Sequence, residues 1–249
     1  MTTIWNELRS LREGVDYGTP PRDGEPVTLS IDGVDTTVPA RSSVLLAATV
    51  AGATVPKLCA TDTLECFGSC RVCLVEIDGR RGYPASCTTP VEAGMVVRTT
   101  SDELVRLRRG VVELYLSDYP DSDLEGGWSQ FHTTLAQVGL EAGLPADHPY
   151  RGGHTHATIA VDESNPYFLF DAAKCIVCSR CVRACEEIQG TFALTIDGRG
   201  FASKVSPSQN ETFLASECVS CGACVQACPS DAIIEKSLFP EGYHRADSR

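Results

Sequence analysis

The sequence predicts an α+β chain built from two small cysteine-rich domains joined by a helical connector, and three observations predict it. Residues 27–39 alternate apolar and polar side chains about Asp32-Gly33, and an apolar helical stretch and a five-cysteine loop follow. Residues 101–118 carry apolar side chains at helical spacing. Residues 175–228 hold two copies of the pattern C-x2-C-x2-C-x3-C.

Composition narrows the function classes before any element is placed. A chain of 249 residues allows one to three domains. The net charge of −12 argues against nucleic acid as a partner. The 13 cysteines are clustered rather than spread as a disulfide framework, which suits metal-binding thiols in a reducing cytoplasm. The start, MTTIWNELRSLREG, has no apolar signal-peptide core, and no apolar run is long enough for a membrane span. The expectation is therefore a cytoplasmic protein.

In chain order, residues 1–26 read as a polar leader with a possible short helix over residues 4–11 and a linker from Thr19 to Pro26. Residues 27–100 form the first domain. In it Val27, Leu29 and Ile31 make one strand, Asp32-Gly33 the turn, and Val34 and Val38 the return strand. Ser42 and Ser43 offer caps for a helix through Val50 that ends near Gly52. A hairpin, a helix and a cysteine loop open a β-grasp ferredoxin. The loop carries Cys59, Cys66, Cys70, Cys73 and Cys87. A [2Fe–2S] cluster needs four thiolates, so one is surplus. Cys70 and Cys73 form a C-x2-C pair beside Gly68. Cys66 misses the plant-type register by one residue, and the alternative set is Cys59-x10-Cys70-x2-Cys73-x13-Cys87.

Residues 101–166 read as the connector: a helix over residues 101–118 with Asp102 and Glu103 suited to its N-terminal dipole, then a loop rich in Gly, Pro and His from Glu141 to Pro166. Residues 167–237 form the last domain, and residues 238–249 a polar tail. Phe192, Leu194 and Ile196, with Gly198 and Gly200, read as a hairpin, and Ala232 to Ile234 as a closing strand. The spacing is that of bacterial two-cluster ferredoxins, in which the fourth cysteine of each run ligates the other [4Fe–4S] cluster. Cluster one then falls on Cys175, Cys178, Cys181 and Cys228. Cluster two falls on Cys218, Cys221, Cys224 and Cys185. Zinc is the competing reading of a C-x2-C pair, but a tetrahedral site would leave the extra cysteines idle.

The segments PKLCATDTLECFGSCRVCLVEIDGRRGYPASCTTPV, SNPYFLFDAAKCIVCSRCVRACEEIQGTFALTIDGRGF and ECVSCGACVQACP resemble, in this order, the iron–sulfur N-terminal part of the NAD-linked molybdenum formate dehydrogenase alpha subunit. The large iron–sulfur subunit of complex I and the diaphorase small subunit of NAD-reducing hydrogenases are more distant relatives. The resemblance selects Cys59, Cys70, Cys73 and Cys87 as [2Fe–2S] ligands, with Cys66 a bystander. It also locates a departure. The family places a [4Fe–4S] cluster in the connector, held by one histidine and three cysteines, and these four ligand positions fall here on Tyr119, Asp123, Gly126 and His132. None keeps its ligand type, so the connector resembles a degenerate histidine–cysteine cluster domain whose cluster is lost. A competing reading places another metal on Asp123 and His132, aided by His148, His154 or His156; histidines in a polar loop are more often solvated or hydrogen-bonded.

No residue set activates a substrate: there is no P-loop, no G-x-S-x-G and no dinucleotide fingerprint. The expected role is one-electron relay through one [2Fe–2S] and two [4Fe–4S] clusters. The resemblance implies two partners. One is a separate catalytic subunit, holding molybdopterin for a formate dehydrogenase or nickel–iron for a hydrogenase. The other is a flavin- and NAD-binding iron–sulfur subunit. In the family, the formate-oxidising domain follows in the same chain, whereas this sequence stops at Arg249. A free ferredoxin-like carrier is the alternative of another class.

Overall fold

The computed structural model describes residues 15–124, 127, 129–151, 156–239 and 241–243. The possible helix over residues 4–11 and the ligand position Gly126 lie outside the described residues. Contacts group the chain into two compact units, one ending at Val112 and the other continuing from Glu113.

In the first unit, strands β1 (Pro26–Ile31) and β2 (Val34–Pro39) pair antiparallel from Pro26↔Pro39 to Ile31↔Val34. Asp32 and Gly33 both take positive φ, +49° and +83°, which is the mirror-image turn that matches strand twist. Helix α1 (Val44–Val50) is capped by Ser43, whose Oγ accepts from Leu46 N at 3.0 Å. Two short strands complete the sheet: β3 (Glu76–Ile77) and β4 (Val96–Arg98), giving the order β2-β1-β4-β3 with β1 and β4 parallel. Leu29, Ile31 and Val38 on the inner face pack with Val44, Leu45, Ala48, Val75 and Val97 in one core. Cys73 and Cys87 belong to that core, so the sheet and α1 fix the floor of the cysteine loop.

Helix α2 (Asp102–Leu116) starts where Ser101 Oγ accepts from Leu104 N at 3.2 Å. Arg108, although charged, is buried and donates to the carbonyls of Leu74 and Thr99, the latter at 2.8 Å. The boundary between the two units falls inside this helix.

The second unit contains helix α3 (Gln130–Val138), which begins on Ser129 and ends on Gly139 in the left-handed conformation. Strand β5 (Phe168–Phe170) pairs antiparallel with β8 (Ile233–Glu235), joining the start of the cysteine-run domain to its end. Helix α4 (Arg180–Arg183) continues through Ala184–Gln189 in a wider π-type winding closed by Gly190 N to Cys185 O at 2.9 Å. Strands β6 (Leu194–Asp197) and β7 (Lys204–Pro207) form a hairpin, and helix α5 (Ala223–Ala227) follows the second cysteine loop. Phe168, Phe170 and Phe213 make the aromatic centre, with Phe168 edge-on to Phe213 at 5.0 Å. The expected polar tail is anchored in part. Tyr243 donates its hydroxyl to the buried Asp171 carboxylate at 2.7 Å.

Candidate metal centres

The second unit brings the eight cysteines of the two runs into two cavities. One is lined by Cys175, Cys178, Cys181 and Cys228. The other is lined by Cys185, Cys218, Cys221 and Cys224. Each cavity thus takes three sulfurs from its own loop and the fourth from the other run. The walls are otherwise largely apolar: Phe170, Ile176, Val205 and Ile233 around the first, Phe168, Leu194 and Phe213 around the second.

The two loops share one backbone path. Val177 and Ser179 in the first, and Ser220 and Gly222 in the second, all have positive φ. A β-branched residue at φ +51° is strained, and such strain persists where surrounding structure imposes it. The turn aims amides at sulfur: Val177 N lies 3.4 Å from Cys175 Sγ and Ser220 N 3.4 Å from Cys218 Sγ. Cys185 Sγ receives Ala193 N at 3.2 Å and lies 3.2 Å from Thr191 Oγ1. Such N–H···S bonds favour the charged thiolate.

The cavities fit iron–sulfur clusters better than bare thiols. Burial and neighbouring sulfurs push the Cys175 thiol up to about 12, and push Cys181 and Cys224 up as well. Four thiolates in one apolar cavity need positive charge between them, which iron supplies. Among the described residues no three His, Cys, Asp or Glu side chains converge on a lone metal ion. The four cysteines of each quartet line one cavity together, as the ligands of one cluster would.

In the first unit Cys59, Cys70, Cys73 and Cys87 are all buried and in hydrogen-bonding contact. Cys70 N lies 3.5 Å from Cys59 Sγ. The contacts from Cys70 and Cys87 hold the Cys59 thiol well below its ordinary range, and the contact from Cys87 lowers Cys73 to about 7. Conversely Cys87 is pushed up, by its contact with Cys59 first. Gly68 and Arg71 bend the loop through positive φ. Cys66 stands at the edge: it touches Cys87, and its thiol donates to Gly18 O at 3.4 Å.

Of the four positions that the resemblance gives to a further cluster, Tyr119, Asp123 and His132 are described, and each contacts other protein groups. Tyr119 is buried against Phe131, ring centres 4.9 Å apart. His132 Nε2 donates to Asp123 O at 2.8 Å and its Nδ1 lies 2.7 Å from Ser129 Oγ, so both ring nitrogens are engaged. The Asp123 carboxylate pairs with Lys174 Nζ at 2.9 Å, and its other oxygen is buried without a hydrogen-bond partner. Neither His148, near Glu113, nor His156, bonded to Ser203 O, joins them; His154 lies outside the described residues. Nothing in the sequence pattern signals the Asp123–Lys174 pair. Helix α3, by contrast, is signalled by Ser129, Phe131, Leu135, Val138 and Gly139 at cap and helical positions.

These features define an iron–sulfur protein with ferredoxin-type sites. Residues 24–102 match a 2Fe-2S iron-sulfur cluster binding domain, and residues 174–232 a 4Fe-4S dicluster domain. The chain is similar to the NADP-reducing hydrogenase subunit HndD of Solidesulfovibrio fructosivorans, 36% identical over 192 residues that make up 73% of this chain and 31% of that protein. It is also similar to the mitochondrial NADH-ubiquinone oxidoreductase 78 kDa subunit of Candida albicans, 33% identical over 177 residues, 70% of this chain and 24% of that protein. Among solved structures it resembles a chain of the NAD+-reducing [NiFe]-hydrogenase in the H2-reduced state, with TM-score 0.68 and 28% identity, covering 86% of this chain and 89% of that one. The chain thus spans about a third or less of the curated relatives it matches. No helix among the described residues is long and apolar enough to cross a membrane.

Proposed function

We propose that this chain is the electron-relay iron–sulfur subunit of a cytoplasmic, multi-subunit NAD(P)-linked oxidoreductase of the hydrogenase type. The observation that carries the reading is the near end-to-end likeness to a chain of an NAD+-reducing [NiFe]-hydrogenase. Cys59, Cys70, Cys73 and Cys87 hold one [2Fe–2S] cluster. Cys175, Cys178, Cys181 and Cys228 hold one [4Fe–4S] cluster, and Cys185, Cys218, Cys221 and Cys224 a second. The position spanned by Tyr119, Asp123, Gly126 and His132 holds none. The partners are a separate catalytic subunit and a flavin- and NAD-binding subunit.

When bound, the clusters supply one-electron carriers; every iron is satisfied by cysteine, so none is open to substrate. The chain's own residues do the rest. The cysteines anchor, the aromatic walls exclude water, and the backbone amides of the two loops stabilise charge on sulfur. Around the second [4Fe–4S] cavity the exposed side chains Val219, Phe192, Leu214 and Tyr167 each line it or adjoin a residue that does. Exposed apolar side chains at a cluster edge suit a partner surface better than a freely diffusing carrier.

A formate dehydrogenase subunit is the second reading, favoured by the wording of the three cysteine-bearing segments. One experiment separates the two: metal analysis of the native complex purified through this chain. Nickel supports the hydrogenase reading, while molybdenum or tungsten without nickel overturns it. The chain itself should carry about ten irons, two for the rhombus and four for each cube.

A further inference from the structure

The geometry points to Asp123 and Lys174, with helix α3, as the positioning residues that set the redox potential of the cluster on Cys175, Cys178, Cys181 and Cys228. The inference rests on the assignment of that cluster and deepens it.

A chain of contacts runs from the connector to Lys174, the residue that precedes the cavity-lining Cys175. Ser129 fixes His132, and His132 holds the backbone carbonyl of Asp123. The Asp123 carboxylate holds Lys174, the residue before Cys175. Both charged side chains are mostly buried, 12% and 15% exposed, so water screens them little. Lys174 also lies 5.3 Å from the Tyr243 ring centre. The same helix grips both pieces of chain that wall the cavity. Phe131 N donates to Pro229 O at 2.7 Å, next to Cys228, and Gln130 Oε1 accepts from Arg180 Nη1 at 2.7 Å, between Cys178 and Cys181.

Cluster reduction adds one negative charge to the cavity, so a nearby cation favours the reduced form and an anion disfavours it. Asp123, with one oxygen unpaired, partly offsets Lys174. Removing either charge therefore moves the potential, in opposite directions. The second cavity differs at the matching place: the residue before Cys218 is Glu217, which is exposed.

The test is an EPR-monitored redox titration of the full chain, purified anaerobically with its clusters, as wild type, Asp123→Asn and Lys174→Met. A Cys178→Ser variant identifies which spectrum belongs to this cluster. Asp123→Asn should raise its midpoint and Lys174→Met lower it, each by at least a tenfold change in the reduced-to-oxidised ratio at fixed potential, which is about 59 mV for one electron. The other two clusters should stay fixed, and Asp123→Glu should restore the wild-type value. Unmoved midpoints, shifts of the same sign, or equal shifts in all three clusters overturn the inference. If Asp123→Asn loses iron, Lys174→Met decides alone by its sign. Absence of two cubane signals in the wild type instead overturns the cluster assignment on which the inference rests.

Discussion

The Cys175 and Cys218 loops obey one spacing and trace one backbone path, yet their neighbourhoods are opposite. Ile176 follows the first cysteine of one loop and is 7% exposed; Val219 holds the same place in the other and is 54% exposed. Lys174 precedes one loop and Glu217 the other. Helix α3 bonds through Phe131 and Gln130 to both chain segments that wall the first cavity, while exposed apolar side chains lie at or beside the lining of the second. Duplicated sequence fixes where sulfur goes. What surrounds the sulfur is set by segments far away in the chain.

The comparison can be broken most decisively at the crossed cysteines. Cys228→Ala should remove about four irons and the signal of the first cavity, and Cys185→Ala about four irons and the signal of the second. If each substitution empties the cavity of its own run instead, the crossed arrangement is wrong. Iron counts with EPR on both variants read this directly.

Chelation sharpens the contrast next. Under an iron chelator the second cavity, with Val219 exposed, should lose its cluster several-fold faster than the first, followed as two phases of absorbance decay. A single shared rate would mean that helix α3 shields nothing.

A smaller effect is expected from Gln130→Ala. It removes a hydrogen bond to a charged partner, about 1.5–3 kcal/mol, and takes an acceptor from the buried Arg180. Cluster loss from the first cavity should accelerate while the second is unchanged. The smallest effect on the chain itself belongs to Leu214→Ser, at 69% exposure. Denaturant unfolding should shift by no more than about 0.5 kcal/mol, yet co-purification of any partner subunit that docks on this surface should fall.

Much of this was legible in the sequence because the signals are local. Asp32-Gly33 declared its turn, Ser43 its helix cap, and the cysteine spacing the sulfur quartets. Strands β3 and β4 were not legible: with two and three residues, they are too short to show alternation. Tyr243 reads as tail because its partner Asp171 lies 72 residues away. The pairing of Asp123 with Lys174 was hidden for the same reason. A burial partner distant in sequence leaves no periodic trace, and Lys174 beside a cysteine reads as an ordinary surface charge.

The exchange of Cys185 and Cys228 between the two runs also governs the order of manufacture. During synthesis the first loop emerges complete, yet its cavity lacks a fourth sulfur until Cys228 leaves the ribosome. The second cavity has its Cys185 early and waits for the three sulfurs of its own loop. A nascent chain that ends between Gly190 and Ser220 therefore offers no finished site to the iron-delivery machinery. Each quartet draws on both runs, and the second is complete at Cys224, before Cys228 completes the first, so a chain paused between those two cysteines should be able to load the second cavity alone.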